Sequence, residues 1–396
     1  MLLNEADTWQ RRGAALLKQG SHGDALAAFD RALGIEPSRF ESLIGRAAAL
    51  MELQRPLDAL DTYDRVVALR PQWPEVWYYR GNALKHLKRY DDALASFERA
   101  LALKPEFPQV HFIRCELFRE LGKSAEAAAD AEAVERLLFP TLHGYTPNLR
   151  EPRSFNEKIV HRKLFVHDPT FTMLADKWAV RDFVAERVGS DILNDVCCVV
   201  SDPDEIDFTA LPNAFVLKAT HGSRFNVFAP RKAELDIAAA KATCRDFLTK
   251  KYGTGTNEVH YFTIPPRLIV EPFLMNQEGT PVIDYKCLVF HGRCHFIWVH
   301  FDRFGRHTAR FFDRDWKPLD VTLGYPLGPV VEPPRALARM IEISETLAAG
   351  YDFLRVDLYS PDGERVVFGE ITVTPGAGRQ RSGPNAEFDF ALGALW

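Results

Sequence analysis

Asp357 and Glu370 are the residues whose type and spacing point most directly to chemistry. They stand in Phe353-Leu354-Arg355-Val356-Asp357-Leu358-Tyr359 and in Phe368-Gly369-Glu370-Ile371-Thr372-Val373. Pro361-Asp362-Gly363 between them reads as a turn, and both flanking runs alternate apolar with polar residues, so the segment reads as an antiparallel hairpin. Without a bulge, such a hairpin opposes Asp357 to Glu370 and Arg355 to Thr372 and turns Val356 and Ile371 to the other face. Directly opposed like charges destabilise a sheet. A cation between the two acids is therefore expected, and oxygen ligands of this kind suit Mg²⁺ held together with phosphates. That is the signature of a nucleotide site. The competing reading is an exposed hairpin with hydrated acids, or an acid paired to Arg355.

Three other segments carry charge in unusual places. Phe215-Val216-Leu217-Lys218-Ala219-Thr220-His221-Gly222-Ser223 puts a lysine inside an apolar strand, just before a loop of small polar residues. Such a lysine needs an anionic partner or an escape to solvent. Backbone amides of the 220–223 loop could cradle phosphate oxygens, with Lys218 over the α-phosphate or the adenine edge; a strand-end lysine before a turn is the plainer alternative. Asp176-Lys177 opens a helical pattern with Arg181 one turn on, so Asp176 is a candidate N-cap and Lys177 either a solvated residue or a second phosphate contact. Asp284-Tyr285-Lys286 places Asp284 and Lys286 on one strand face, where Lys286 could reach the same polyphosphate or form a surface ion pair. Arg379 and Arg381, beyond Pro375-Gly376, could hold a substrate carboxylate as arginine forks do, or belong to a mobile basic loop. His161, His167, His260 and His300 read as ordinary surface or satisfied core residues, and no Ser-His-Asp or Cys-His arrangement stands out.

The elements that must position these groups fall into two parts. In the first third, Pro37, Pro71 and Pro105 stand 34 apart. So do Gly13, Ala47, Gly81 and Cys115, then Ala25, Ala59, Ala93 and Ala127, and the aromatics Phe29, Tyr63 and Phe97. Small residues let paired helices approach, the aromatic fills the gap, and proline ends the second helix. This resembles the tetratricopeptide repeat, with Trp9 and Trp77 at its tryptophan position and repeats at about 6–39, 40–73 and 74–107. A fourth unit, about 108–139, keeps Ala127 but loses the aromatic at 131 and the proline, and reads as a degenerate or capping repeat. The resemblance implies an all-α scaffold at 1–140 whose concave face takes a peptide or protein partner.

Thr141 to Arg153 reads as a linker, and 141–396 as a mixed domain. Helical periodicity runs through Asn156 to Phe165, Asp176 to Val188 and Pro334 to Ala349. Strand-like runs cover Ala214 to Ala219, Leu268 to Leu274, Tyr285 to Phe290, Cys294 to Phe301 and the terminal hairpin, with a tight turn at His291-Gly292. The expectation is an α+β multidomain chain: an N-terminal all-α solenoid followed by an α+β layer domain.

Composition sets outer limits. The 396 residues, 46% hydrophobic and 26% charged, leave room for two or three domains. A net charge of -5 gives no general basic surface, so nucleic acid is not expected as a partner. Six cysteines without metal-ligand spacing, including Cys197-Cys198 in an apolar run, read as buried reduced thiols. Met1-Leu2-Leu3-Asn4-Glu5-Ala6-Asp7 meets acids too early for a signal peptide, no stretch is long enough to span a bilayer, and a cytoplasmic location is expected.

In chain order, the segments of 150–396 resemble the ATP-grasp superfamily, and its TupA-like (teichuronopeptide-biosynthesis) branch closely. The match runs through Ser154-Phe155-Asn156-Glu157-Lys158-Ile159, Asp176-Lys177, Leu211-Pro212 to Ser223, Pro266 to Glu271, Asp284-Tyr285-Lys286, Arg355-Val356-Asp357 and Gly369 to Gly376. The resemblance implies ATP contacts at Lys177, Lys218 and the His221, Gly222 and Ser223 loop, with Glu271 at the hinge that accepts adenine or ribose. It implies Mg²⁺ ligands at Asp357 and Glu370. Arg355 matches the arginine that steadies an acyl phosphate in D-alanine:D-alanine ligases. Thr372 stands where many members carry a metal-binding asparagine, leaving two firm ligands and one weak one. The phosphate loop is poorer in glycine than most, so His221 or Arg224 would replace some backbone contacts. Only about 35 residues separate the last repeat from Asp176, room for a short N-terminal segment but not a separate layer.

The expected function is an ATP- and Mg²⁺-dependent carboxylate-amine ligase working through an acyl phosphate. Lys177, Lys218, Lys286 and the metal would spread phosphate charge while Arg355 holds the acyl phosphate. The resemblance implies a small-molecule or polymer carboxylate and an amine, with an amino acid or peptide joined to a surface polymer. A phosphotransferase on the same nucleotide site and a non-catalytic repeat scaffold are the alternatives.

Overall fold

The computed structural model describes residues 5–303, 305–382 and 385–396; the first four residues of the N-terminal stretch read above lie outside them. The chain divides into two compact units, Met1–Leu137 and Leu138–Trp396. No helix among the described residues is long and apolar enough to cross a membrane.

The first unit is a run of helices: α1 Glu5–Lys18, α2 His22–Ile35, α3 Phe40–Glu52, α4 Pro56–Leu69, α5 Pro74–His86, α6 Tyr90–Leu103, α7 Pro108–Glu120 and the start of α8, Ser124–His143. Proline opens α4, α5 and α7, where its missing N–H costs nothing. The small and aromatic columns meet as their spacing demands. A Cβ on Gly13 would lie 2.8 Å from the Phe29 ring, and one on Gly81 2.4 Å from the Phe97 ring. A polar ladder accompanies them. Arg46 Nε reaches Asp30 at 2.7 Å and its Nη1 bonds Thr62; one repeat later Arg80 reaches Asp64 at 2.7 Å and Ser96 at 2.7 Å. Arg114 closes the series as a fork on Asp130, at 2.6 and 2.7 Å.

Helix α8 runs through Pro140, so the irregular stretch begins at Gly144 and not at Thr141. Pro140 removes one helical N–H, but its carbonyl still takes the Gly144 N–H at 2.8 Å, and Gly144, at φ 82°, ends the helix in the left-handed region.

The second unit adds α9 Phe155–Phe165, α10 Thr170–Ala175, α11 Val180–Val188, β1 Cys198–Val200, β2 Phe215–Ala219, β3 Asn226–Ala229 and α12 Ile237–Thr249. Then follow β4 Leu268–Pro272, β5 Asp284–Phe290, β6 Arg293–Phe301, β7 Thr308–Asp313, α13 Leu337–Ala348, β8 Phe353–Tyr359, β9 Val367–Thr372 and α14 Ala386–Ala394. The strands form two antiparallel sheets, one ordered β1-β4-β2-β3 and the other β7-β6-β5-β8-β9. His291 and Gly292, at φ 47° and 75°, make the two-residue turn between β5 and β6, the backbone that matches the twist of a hairpin.

One face of the five-stranded sheet packs on α10, α11 and α13 through Phe171, Val184, Met340, Ile343 and Leu347. On the other face, α9 and α14 cover Leu288, Phe290, Trp298 and Phe353. The Ser154 segment sets α9 there: Ser154 and Glu157 form a capping box, and Asn156 bonds fully buried Asp389 of α14 at 3.0 Å. Beyond these helices the second face turns polar. Helix α11 starts at Val180, later than the Asp176 expected, because Asp176 ends α10 and caps the intervening turn by accepting the Trp178 N–H at 2.9 Å.

Candidate active site

Strands β8 and β9 pair Arg355 with Thr372, Val356 with Ile371 and Asp357 with Glu370. Val356 and Ile371 lie in the core beneath. The expected hairpin without a bulge holds only up to this point. Past Asp357 the register slips by one, so that Leu358 faces Phe368 and Tyr359 faces Val367. Gly369 is the extra residue. A Cβ there would sit 2.9 Å from the Asp357 carbonyl oxygen and 2.9 Å from the Tyr359 ring, so the bulge closes only on glycine.

Three acids and three cations crowd this face. Arg355 forks onto Asp357 through Nε and Nη2, both at 2.7 Å, and its Nη2 lies 3.4 Å from Glu370. Lys286, opposite Asp357 on β5, bonds Asp357 and lies 2.8 Å from Asp284. Arg303 reaches the same Asp284 oxygen at 2.8 Å. Asp284 is fully buried, and its Oδ1 has no hydrogen-bond partner. Burial alone would lower the Arg355 pKa, but the charge of Asp357 overrides it and raises the pKa, so this guanidinium stays charged.

The four-stranded sheet supplies a second cluster. Lys218 on β2 and Glu271 on β4 meet diagonally across the sheet at 2.6 Å, and Arg181 of α11 approaches the other Glu271 oxygen at 3.3 Å. Lys177 donates its backbone N–H to the Thr220 carbonyl at 3.2 Å and its ammonium to the Gly222 carbonyl. Burial lowers its pKa, opposed first by Glu370 of the five-stranded sheet and deepened by Lys218 of the four-stranded one. Lys177 thus feels both clusters.

In the loop after β2, Gly222 lies against Tyr252, where a Cβ would stand 2.9 Å from that side chain, and Ser223 shares a hydrogen bond with the Tyr252 hydroxyl. The His221 ring faces away, bonding the carbonyls of Phe247 and Lys250 at the end of α12 at 3.1 and 3.2 Å. Its side chain anchors the loop to the end of α12. Arg224, exposed at φ 65°, takes the left-handed position that glycine fills more easily.

Past β9, Thr374 bonds Glu258 at 2.6 Å, and Arg379 donates to the Gly255 carbonyl at 2.7 Å. Both hold the 252–261 segment against the end of β9. Arg381 is exposed.

A family model described as TupA-like ATP-grasp matches residues 157–396. The chain belongs to the TupA-like ATP-grasp family. Tetratricopeptide-repeat models match residues 16–82 and 74–107. No curated protein matches the chain. Among solved structures, the MamA RS-1 ArsTM double mutant is 22% identical, with a TM-score of 0.34 over 35% of this chain and 79% of that one. The 41-end fragment of MamA from Desulfovibrio magneticus RS-1 is 23% identical, with a TM-score of 0.33 over 33% and 75%. The first TPR of Spaghetti bound to HSP90 peptide SRMEEVD is 22% identical, with a TM-score of 0.29 over 30% and 94%.

An ATP-grasp domain implies ATP-dependent, ligase-type activity, and members typically bind ATP with Mg²⁺. The acids here fit that ion. Asp357 and Glu370 are opposed on neighbouring strands and are hard oxygen donors. Among the described residues no three His, Cys, Asp or Glu side chains form a metal cage of their own, so an ion at these acids would take further oxygens from phosphate. Sequence reasoning named Arg181 only by its place in a helix and missed Arg303, although their partners Glu271 and Asp284 were both in view. Their contacts join distant segments, and no periodicity announces them.

Proposed function

We propose that this ATP-grasp protein is a carboxylate-amine ligase that makes an amide through an acyl phosphate. The observation that carries the reading is Asp357 opposed to Glu370 while Arg355 and Lys286 both hold Asp357. Bound there, Mg²⁺ would supply charge neutralisation for the transferring phosphoryl group. Asp357 and Glu370 would hold the ion, with Thr372 as a weak neutral neighbour. Arg355 and Lys286 are the cations closest to hand for phosphate and acyl-phosphate oxygens, which would replace their carboxylate partners. Lys177, Lys218 and the backbone of Gly222 and Ser223 would hold the nucleotide's phosphates, and Glu271 its adenine or ribose. Arg379 and Arg381 are proposed to guide a substrate carboxylate. The reading places the enzyme in the cytoplasm, where ATP is available. It adds an amino acid or peptide in surface-polymer synthesis, with the repeat unit, 1–140, as the platform for a peptide or protein partner and 141–396 as the catalytic domain.

The test is ADP release from ATP and Mg²⁺ over pools of amino acids and uronic acids, with and without hydroxylamine. Carboxylate-dependent ADP with hydroxamate is expected, and Asp357→Asn should cut it by roughly 10²–10³-fold, the loss typical of one strong electrostatic contact. ADP formation that consumes an alcohol and gives no hydroxamate would replace the ligase with a phosphotransferase.

A further inference from the structure

The segment from Tyr252 to Tyr261 is fastened to both clusters of the candidate site, and the chemistry above does not use it. At one end Tyr252 lies against Gly222 and shares a hydrogen bond with Ser223, and its ring meets Phe225 edge-on at 5.7 Å, so this end backs the loop after β2. Toward the other end Glu258 accepts from the Thr374 and Thr256 hydroxyls, both at 2.6 Å. Lys163 adds a second tie there, donating to the carbonyls of Thr256 and Ala377 at 2.8 and 2.6 Å. Thr374 is two residues beyond Thr372, the strand partner of Arg355. The segment therefore runs from the candidate phosphate loop to the end of the strand that carries Glu370.

Tyr261 closes it. Its N–H bonds the Glu258 carbonyl at 3.2 Å, and its ring packs edge-on to Tyr252 at 4.7 Å and beside His260 at 4.5 Å. The ring is thus well held. The hydroxyl, by contrast, makes no hydrogen bond among the described residues, and it is not sealed from solvent, the side chain being half-buried. A tyrosine packed in this way ordinarily finds a partner for its O–H. Burial first, then Glu258, Tyr252 and Glu370, raise its pKa well above the usual phenol value against the pull of Arg355, so the hydroxyl keeps its proton and can donate. The acids on this side are already engaged: Glu258 takes two hydroxyls, and Glu370 is a proposed metal ligand. An accessible donor in electrostatic reach of Arg355 suits a ligand rich in acceptor oxygens.

The order along the segment says which part of that ligand. In the arrangement proposed above, a triphosphate has its inner phosphates at the Gly222 and Ser223 loop and its outermost one at Arg355 and the metal acids. Tyr252 stands at the first place and Tyr261 at the second. We propose that Tyr261 contacts the transferring phosphoryl group, its hydroxyl donating to an oxygen of the γ-phosphate, while Tyr252 backs the loop that holds the inner phosphates. The proposal rests on the nucleotide part of the reading above and is indifferent to what accepts the phosphoryl group.

Calorimetric titration of the full chain with Mg-ADP and with the Mg²⁺ complex of the β,γ-imido analogue of ATP tests it. Tyr261→Phe keeps the ring and its packing and removes only the unbonded hydroxyl. It should weaken the triphosphate analogue about tenfold or more, the size of a hydrogen bond to a charged group, and leave Mg-ADP within about twofold of the wild type. The contact is refuted if Tyr261→Phe binds the analogue as the wild type does, if it loses both nucleotides alike, or if the wild type binds neither. Hydroxamate formation is scored separately. Its absence, with the selective loss intact, would overturn the ligase reading and leave Tyr261 on the γ-phosphate.

Discussion

Both units pair arginine with carboxylate, and they use the pairs in opposite ways. In the repeats, Arg46 and Arg80 each span one carboxylate and one hydroxyl, and the pattern returns every 34 residues until Arg114 ends it on Asp130. On the polar face of the five-stranded sheet, Asp284, Asp357 and Glu370 share Lys286, Arg303 and Arg355, and one oxygen of Asp284 is left over. Satisfied pairs repeated along a stack mark a scaffold. Shared pairs that leave one carboxylate oxygen over are what the proposed metal-dependent function would call for.

Three measurements would break or sharpen this contrast. Phe97→Ala should cost about 3–5 kcal/mol in denaturant unfolding, the usual loss for a buried phenylalanine, with Mg-ATP affinity unchanged; a collapse of nucleotide binding would show that the two units do not divide the labour this way. Lys218→Met should raise the KM for ATP about tenfold, roughly 1.4 kcal/mol, while the first unit's unfolding stays where it was. The smallest effect concerns Asp130. Burial alone would raise its carboxyl pKa, but hydrogen bonds from Arg114 and His111 outweigh burial and hold it below 3.8. A depressed carboxyl stabilises the fold above its unfolded pKa and loses that contribution as pH falls through the folded one. Asp130→Asn should therefore melt below the wild type at neutral pH, with the gap narrowing once the pH drops under 3.8. A gap that is the same at every pH would mean that the pair is not what holds the last repeat.

How much of this was legible depends on distance along the chain. The repeat columns could be read because helix pairs use near neighbours, so Gly81 and Phe97 carry their own evidence. The Asp357–Glu370 pairing was also legible, since strand alternation and a Pro-Asp-Gly turn are local signals. The bulge was not, because the crowding at Gly369 comes from the far strand. Strands β1 and β3, of three and four residues, are too short for a pattern to show. The bond of the His221 ring to the end of α12 was not legible, because α12 itself was not foreseen.

Gly369 works as a phase shift written into one residue. On either side of it β9 sends side chains into the same core, Val366 and Phe368 before, Ile371 and Val373 after, a spacing that unbroken alternation forbids. Keeping that residue but denying it the bulge would force a choice between the two halves: hold Phe368 inside and turn Glu370 into oil, or hold Glu370 on the polar face and push Phe368 out to join it. The acid's aim therefore survives a miscount in the strand only because the surplus residue has no side chain to place.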